Sequence, residues 1–200
     1  MNLIFDFDGT ICDSLGFVEK ILKAHFPEFN DPPITISEFR NTGTKELIKR
    51  RKIPKYKIPQ IMINSRKELS KYMHKLQTFP DIDDVIRKLS KKHKLGILTT
   101  NSKKNVNTFL KKNKLDKYFD FVHSELALYG KHKKLKKVMK KHSLNSDETF
   151  YIGDETRDVE AVKETGIKSV AVTWGYEAEK LLQKANPDII ISNPKDLLSL

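Results

Sequence analysis

The sequence predicts an α/β fold: a parallel sheet with helices on both faces, and a small all-helical insertion after the first strand. Three observations carry this reading. Short apolar, β-rich runs recur along the 200 residues, separated by lysine-rich stretches with helical periodicity. Strands that alternate with helices build βαβ units, whose parallel strands are buried on both faces. One long region, residues 15–79, breaks the alternation and holds no strand-like run.

The run 3–7 opens the sheet and leads into Asp6-Phe7-Asp8-Gly9-Thr10. Residues 14–25, 36–50 and 57–76 follow with amphipathic helical spacing, punctuated by Pro27, Pro32-Pro33 and Pro54. Pro80 marks the return of the chain to the sheet. From there strands are expected over 95–99, 119–122, 149–152, 169–172 and 188–191. Helices are expected over 81–92, 103–114, 133–141, 156–165 and 177–184, with Gly166 as a C-terminal stop. The expected division is an α/β core of residues 1–14 and 80–200 and a helical cap of residues 15–79. Such a cap overhangs the carboxyl ends of the strands, where open α/β sheets bind ligands.

Composition narrows the function classes. Hydrophobic residues make up 38% and charged residues 32%, as in a soluble globular protein. No apolar run is long enough to cross a bilayer, and Asp6 and Asp8 interrupt the only apolar segment that could serve as a signal peptide. Cys12 is the single cysteine, so no intrachain disulfide forms and a cytoplasmic location is expected. The net charge of +12 invites a nucleic-acid reading. Against it, Arg40, Arg50, Arg51, Arg66, Arg87 and Arg157 are the only arginines among 38 basic residues, and the lysines are spread along nearly the whole chain. Nucleic-acid surfaces favour bidentate arginine interleaved with aromatic rings. The lysines read first as solvated helix faces in a lysine-biased composition; a diffuse positive field would in addition help draw in anionic substrates. The expected partner is a small anionic substrate, with no membrane, and the chain acting as monomer or homodimer.

The chemistry concentrates in four places. Asp6 and Asp8 stand two residues apart at the end of a buried run, and a strand's period of two puts both on one side. Two like charges buried together ask for a metal ion, a shared proton, or both. The second place is Gly153-Asp154-Glu155-Thr156-Arg157-Asp158, where another strand runs into a Gly-Asp pair with a further Asp four residues on. Asp158 there can accept helix N-terminal amides, orient Asp154, or reach an ion through water. Asp6, Asp8, Asp154 and Asp158 together supply the oxygens a small hard cation prefers, and Mg²⁺ is the expected ion. The third place is Thr99-Thr100-Asn101-Ser102, where Thr100 and Asn101 can bind a phosphoryl oxygen while Asn101 or Ser102 caps the next helix. The fourth is Lys131, a cation able to neutralise a carboxylate and a phosphoryl group, with Lys133 and Lys134 as competitors.

These motifs, in this order and separation, resemble the haloacid dehalogenase-like hydrolase superfamily, in its phosphoglycolate phosphatase-like branch with a helical cap. Thr173-Trp174-Gly175-Tyr176 and Asn186-Pro187-Asp188 also look like the end of that branch. The resemblance implies a Rossmann-like core and a Mg²⁺-dependent phosphatase acting on a small phosphorylated substrate through an aspartyl-phosphate. It implies Asp6 as nucleophile and Asp8 as acid and then base. Asp6, the backbone carbonyl of Asp8, and Asp154 would hold Mg²⁺ with Asp158 in support; Thr100 and Lys131, with Asn101, would bind the phosphoryl group. Where members of this branch often continue the lysine motif with proline, this chain has Lys131-His132-Lys133. A sugar-phosphate mutase of the same superfamily would share every one of these motifs; a non-catalytic regulatory or nucleic-acid-binding protein is the alternative from another class.

Substrate choice belongs to the insertion. Thr42-Gly43-Thr44-Lys45 can make a turn facing the site, and Lys45, Lys49, Arg50, Arg51 and Lys52 form either an electropositive mouth or a solvated helix face. Glu155 and Arg157 pair with each other or with solvent, and Trp174 and Tyr176 line the rim or pack in the core.

Overall fold

The computed structural model describes residues 1–124 and 130–200. Six strands form one sheet: β1 (Asn2–Phe5), β2 (Lys94–Thr99), β3 (Phe121–Ser124), β4 (Thr149–Gly153), β5 (Lys168–Val172) and β6 (Ile189–Ile191). Their order is β3-β2-β1-β4-β5-β6, and every neighbouring pair is parallel. The central strands read as continuous apolar runs because both of their faces are covered. Leu3, Ile4 and Phe5 of β1 have no exposed surface.

The chain leaves β1 for β2 on one side and later returns to β4 on the other, so the direction of winding reverses between β1 and β4. A crevice at the carboxyl ends of strands opens where winding reverses. Phe5 pairs with Ile152 there, and the amide of Asp6 donates to the carbonyl of Ile152 at 2.8 Å. This register places the residues after β1 beside those after β4.

Between β1 and the rest of the sheet the chain is helical: α1 (Leu15–His25), α2 (Ile36–Thr42), α3 (Thr44–Arg50) and α4 (Ile58–Ser70). The expected single helix over 36–50 is broken at Gly43, whose φ of 77° lies in the left-handed region and turns the chain between α2 and α3. The two connections to this stretch run side by side. Asp13 N donates to Gln77 O at 3.0 Å, and Phe79 N donates to Ile11 O at 3.2 Å. One apolar cluster runs from Phe5 and Phe7 under the sheet ends to Phe39, Leu47 and Leu69 of the helical stretch.

The remaining α-helices among the described residues are α5 (Ile82–Leu89), α6 (Lys103–Lys112), α7 (Lys131–His142), α8 (Thr156–Lys163) and α9 (Glu179–Lys184). In α5, Ile82, Val85, Ile86 and Leu89 are buried at the spacing of one helical face. Asp83 and Asp84 stand in its first turn and Arg87 and Lys88 in its last, as the helix dipole favours. No helix among the described residues is long and apolar enough to cross a membrane.

Candidate active site

The end of β1 fixes the first carboxylate. Asp6 is 2% exposed, and its Oδ1 accepts from the amide of Phe7 at 2.7 Å. Its Oδ2 accepts from Lys131 Nζ at 2.9 Å. Lys131, at the start of α7, also donates to Asp158 Oδ1 at 2.7 Å and stands 4.8 Å from the centre of the Tyr151 ring. Burial pulls the lysine's pKa down, but Asp158 and Asp6 together overcome this and hold it above its ordinary value. Of Lys131, Lys133 and Lys134, Lys131 is the one buried against the carboxylates at the end of β1 and the start of α8.

Asp154 follows β4 and is fully buried. Its Oδ1 accepts from Thr10 Oγ1 at 2.7 Å and its Oδ2 from the amide of Tyr176 at 2.8 Å. Burial pushes its pKa well up, and Glu155, Asp6 and Asp158 push it further. Asp158, in the first turn of α8, forms a reciprocal cap with Glu155, its Oδ2 accepting from Glu155 N at 3.3 Å. Burial raises its pKa too, opposed by Lys131.

Asp6, Asp154 and Asp158 each offer an oxygen within 4.8 Å of the others. Three buried carboxyl groups face one buried lysine, and burial and mutual repulsion push those of Asp154 and Asp158 up. Small residues keep the space around Asp154 open: a Cβ on Gly9 would run into its carboxylate, and one on Gly175 into its Cβ. An all-oxygen, anionic, glycine-lined cradle of this kind fits a small hard divalent cation.

Asp8 lies apart from that cluster, although only one residue separates it from Asp6. β1 ends at Phe5, so both aspartates sit in the loop beyond the strand. Asp8 Oδ1 accepts from Ser14 Oγ and its Oδ2 from Asn101 Nδ2, both at 2.8 Å. Ser14 in turn lies 2.8 Å from the Tyr176 hydroxyl. Burial pushes the Asp8 carboxyl up to about 6, against the hydrogen bonds from Ser14 and Asn101. A carboxyl so placed holds a proton to higher pH than an ordinary aspartate does.

Asn101 is oriented by its own oxygen. Its Oδ1 accepts from Ser102 N at 2.7 Å and Asn105 Nδ2 at 3.0 Å, which turns its amino group toward Asp8. Ser102 is the helix cap, accepting from Asn105 N at 3.1 Å. Thr100 is half-buried and lines the same crevice as Asp8, Asn101 and Tyr176.

The loop after β4 also meets the helical stretch. Arg157 donates to both oxygens of Glu155, at 2.8 and 2.6 Å, so the two pair with each other. Thr44 Oγ1 donates to Glu155 Oε2 at 2.7 Å, which brings the Thr42–Lys45 turn to the crevice. Glu177 accepts from Thr156 N at 2.7 Å and from Thr44 N at 3.3 Å, bridging the two parts. In the basic run that follows this turn, Lys45 pairs with Glu160, Lys49 and Arg50 with Glu46, and Arg51 with Glu38; Lys49 and Arg50 are exposed, whereas the Arg51 side chain is only 7% exposed.

Sequence reasoning passed over Ser14, Ser65, Arg66 and Glu177. Ser14 lay close enough to the Asp6–Asp8 turn to be suspected, as Thr10 within that turn was; the others had no local signal.

The model of the haloacid dehalogenase-like hydrolase family matches residues 3–172. The chain belongs to this family. Phosphoglycolate phosphatase from Synechococcus elongatus is 34% identical over 98% of this chain and 94% of its own length. A pyrophosphatase from Bacillus mycoides is 28% identical over 62% of this chain and 60% of its own. A haloacid dehalogenase-like family protein from Streptococcus pneumoniae superposes with a TM-score of 0.78 at 24% identity, covering 99% of this chain and 96% of that one. This haloacid dehalogenase-like hydrolase is thus an enzyme with phosphatase kin, and its α/β fold is the family's.

Proposed function

We propose that the protein hydrolyses a small organic phosphate monoester, phosphoglycolate foremost, through an aspartyl-phosphate on Asp6, with residues 15–79 acting as a cap over the site. The observation that carries this is the separation of roles between two neighbouring aspartates: Asp6 shares the ion-fitting cluster and Lys131, whereas Asp8 sits on its own hydrogen bonds with a carboxyl near 6.

A carboxylate oxygen of Asp6 attacks phosphorus, and the bond from phosphorus to the ester oxygen breaks. Asp8 gives its proton to the departing alkoxide. Its carboxylate then takes a proton from the water that attacks the aspartyl-phosphate, which releases phosphate and regenerates Asp6. General acid help of this sort is worth about 10²–10⁴-fold. Lys131 offsets charge on Asp6 and on the phosphoryl oxygens, and Thr100 donates to the latter. Asn101 acts on Asp8 and holds its carboxyl in line. Mg²⁺, held by Asp6, Asp154 and the carbonyl of Asp8 with Asp158 in support, would neutralise the phosphoryl group. The identity of the Synechococcus relative supports phosphoglycolate as substrate.

The test is phosphate release from a panel of small phosphate esters, with and without Mg²⁺, comparing the parent with Asp6→Asn. Turnover should require Mg²⁺ and vanish in the variant. Equal turnover by Asp6→Asn would reject Asp6 as nucleophile.

A further inference from the structure

The turn after β5, residues 173–176, sets both oxygens of Asp154. The amide of Tyr176 donates to Oδ2 at 2.8 Å. Trp174 Nε1 donates to Thr10 O at 3.1 Å, and the hydroxyl of Thr10 donates to Asp154 Oδ1 at 2.7 Å. The packing leaves no slack: a Cβ on Gly175 would meet Asp154 Cβ and Gly9 O, both at 2.3 Å. A shift of this turn therefore becomes a shift of the Asp154 carboxylate.

The turn is gripped from the helical stretch. Arg40, in α2, donates through Nη2 to Thr173 O at 2.9 Å, and through Nη1 to Trp174 O at 3.3 Å and to Gly175 O. Three consecutive carbonyls thus point at one guanidinium. Carbonyl oxygens gathered in this way repel one another, and a cation with several donors in a fixed fork offsets that repulsion. Two further contacts between α2 and the core do not use this side chain. Ala178 N donates to Arg40 O at 2.8 Å, and the rings of Phe39 and Tyr176 meet edge to face with centres 5.8 Å apart.

We propose that Arg40 is a positioning residue for the divalent cation: from the cap it clamps the turn that aims Asp154, so that docking of the cap and binding of the cation favour each other. Arg40 is no member of the Asp6, Asp154 and Asp158 cluster and does not line the crevice beside Asp8. It acts through residues 173–176. Linkage makes the coupling reciprocal: if the docked cap tightens the cation site, the bound cation tightens the hold of the cap by the same factor. This inference rests on the reading that Asp154 helps to hold a divalent cation.

The test is calorimetric titration of the whole protein with Mg²⁺ alone, paired with phosphate release from a small phosphate ester at rising Mg²⁺. Arg40→Ala should weaken Mg²⁺ binding by about 10-fold or more, the effect of losing a group that orients a metal ligand. Arg40→Lys should recover part of that loss, since an ammonium supplies the charge without the fork. In turnover, Arg40→Ala should raise the Mg²⁺ concentration for half-maximal rate by the same factor, and saturating Mg²⁺ should bring kcat to within about 3-fold of the parent. A residue that only stabilises the fold would leave the Mg²⁺ dependence unmoved. Equal Mg²⁺ affinity in parent and Arg40→Ala, or a kcat that added Mg²⁺ does not restore, overturns the clamp alone. A parent that binds no Mg²⁺ overturns the cation site and the clamp with it. Should Arg40→Ala fail to fold, the comparison passes to Arg40→Lys, whose affinity should lie about 3-fold below the parent's; an affinity equal to the parent's then overturns the clamp.

Discussion

Lys131 and Asp6, 125 residues apart in the chain, meet through a 2.9 Å ion pair buried at the carboxyl end of the central strand. The same ammonium serves Asp158 at 2.7 Å, so one lysine balances two carboxylates that have almost no contact with water.

Removing that cation strands both acids. Breaking a buried pair from one side costs about 3–5 kcal/mol, because the partner charge is left unmatched. Lys131→Met should therefore lower unfolding free energy by about that amount in urea titrations at pH 7, and abolish phosphate release. A variant as stable as the parent would show that the pair contributes nothing net.

Asn101 is expected to matter through Asp8. Asn101→Ala removes the 2.8 Å bond to Asp8 Oδ2 and frees the carboxyl to rotate. Steady-state kinetics should show kcat reduced by about 10–100-fold with KM little changed, the pattern of an interaction used in the transition state. A rise in KM alone would instead make Asn101 a substrate-binding residue.

Gly9 should control the cation. Its φ of 78° disfavours any other residue, and a Cβ there would press on the Asp154 carboxylate. The single tryptophan is a convenient reporter, since Trp174 Nε1 donates to Thr10 O at 3.1 Å beside the site. Mg²⁺ titrated into the parent should change its fluorescence, and Gly9→Ala should weaken the apparent affinity at least about 10-fold. Equal affinities would mean that the cradle does not depend on Gly9.

Glu177 gives a pH signature. Burial, with Glu155 adding to it, pushes its carboxyl from 4.5 to about 7, against the amides of Thr156 and Thr44. Arg157, paired with Glu155, is the neighbouring cation. The folded state therefore binds this proton more tightly than the unfolded chain does. The associated stability is complete below about pH 4.5 and is lost as pH rises through 7, up to about 3 kcal/mol. Glu177→Gln cannot titrate, so its unfolding free energy should gain on the parent between pH 5 and 8. Parallel curves for the two proteins would remove Glu177 as the source.

The six strands were legible in the sequence because a doubly covered parallel sheet writes its central strands as mostly apolar runs such as 95–99, although the edge strand β3, Phe-Val-His-Ser, lies two residues beyond the expected 119–122. Their ends were less so: Asp6 and Phe7 extend the apolar look of β1, yet lie in the loop that follows it. Gly43 was visible, but its left-handed turn splits a periodicity that otherwise reads as one helix. Within the site, Asp6, Asp8, Asp154, Asp158 and Lys131 were legible because local pattern marks them at strand tips and helix starts. Ser65 and Arg66 were not, since they sit in the middle of α4 and only the packing of that helix over the sheet ends turns them inward. The basic run from Lys45 to Lys52 left a solvated helix face and an electropositive mouth both open for the same reason: charge density along a chain says nothing about which way a helix faces.

The position of β1 has a consequence for how the chain is made. Its hydrogen-bonding partners are β2 on one edge and β4 on the other, and Phe5 meets Ile97 and Ile152 respectively. A ribosome delivers Leu3, Ile4 and Phe5 long before either neighbour exists, with the five helices α1 to α5 synthesised before β2. Nascent chains therefore carry an unzipped apolar strand until β2, at residues 94–99 of 200, has been made, which slows final assembly and makes that segment the natural point for chaperone capture or self-association.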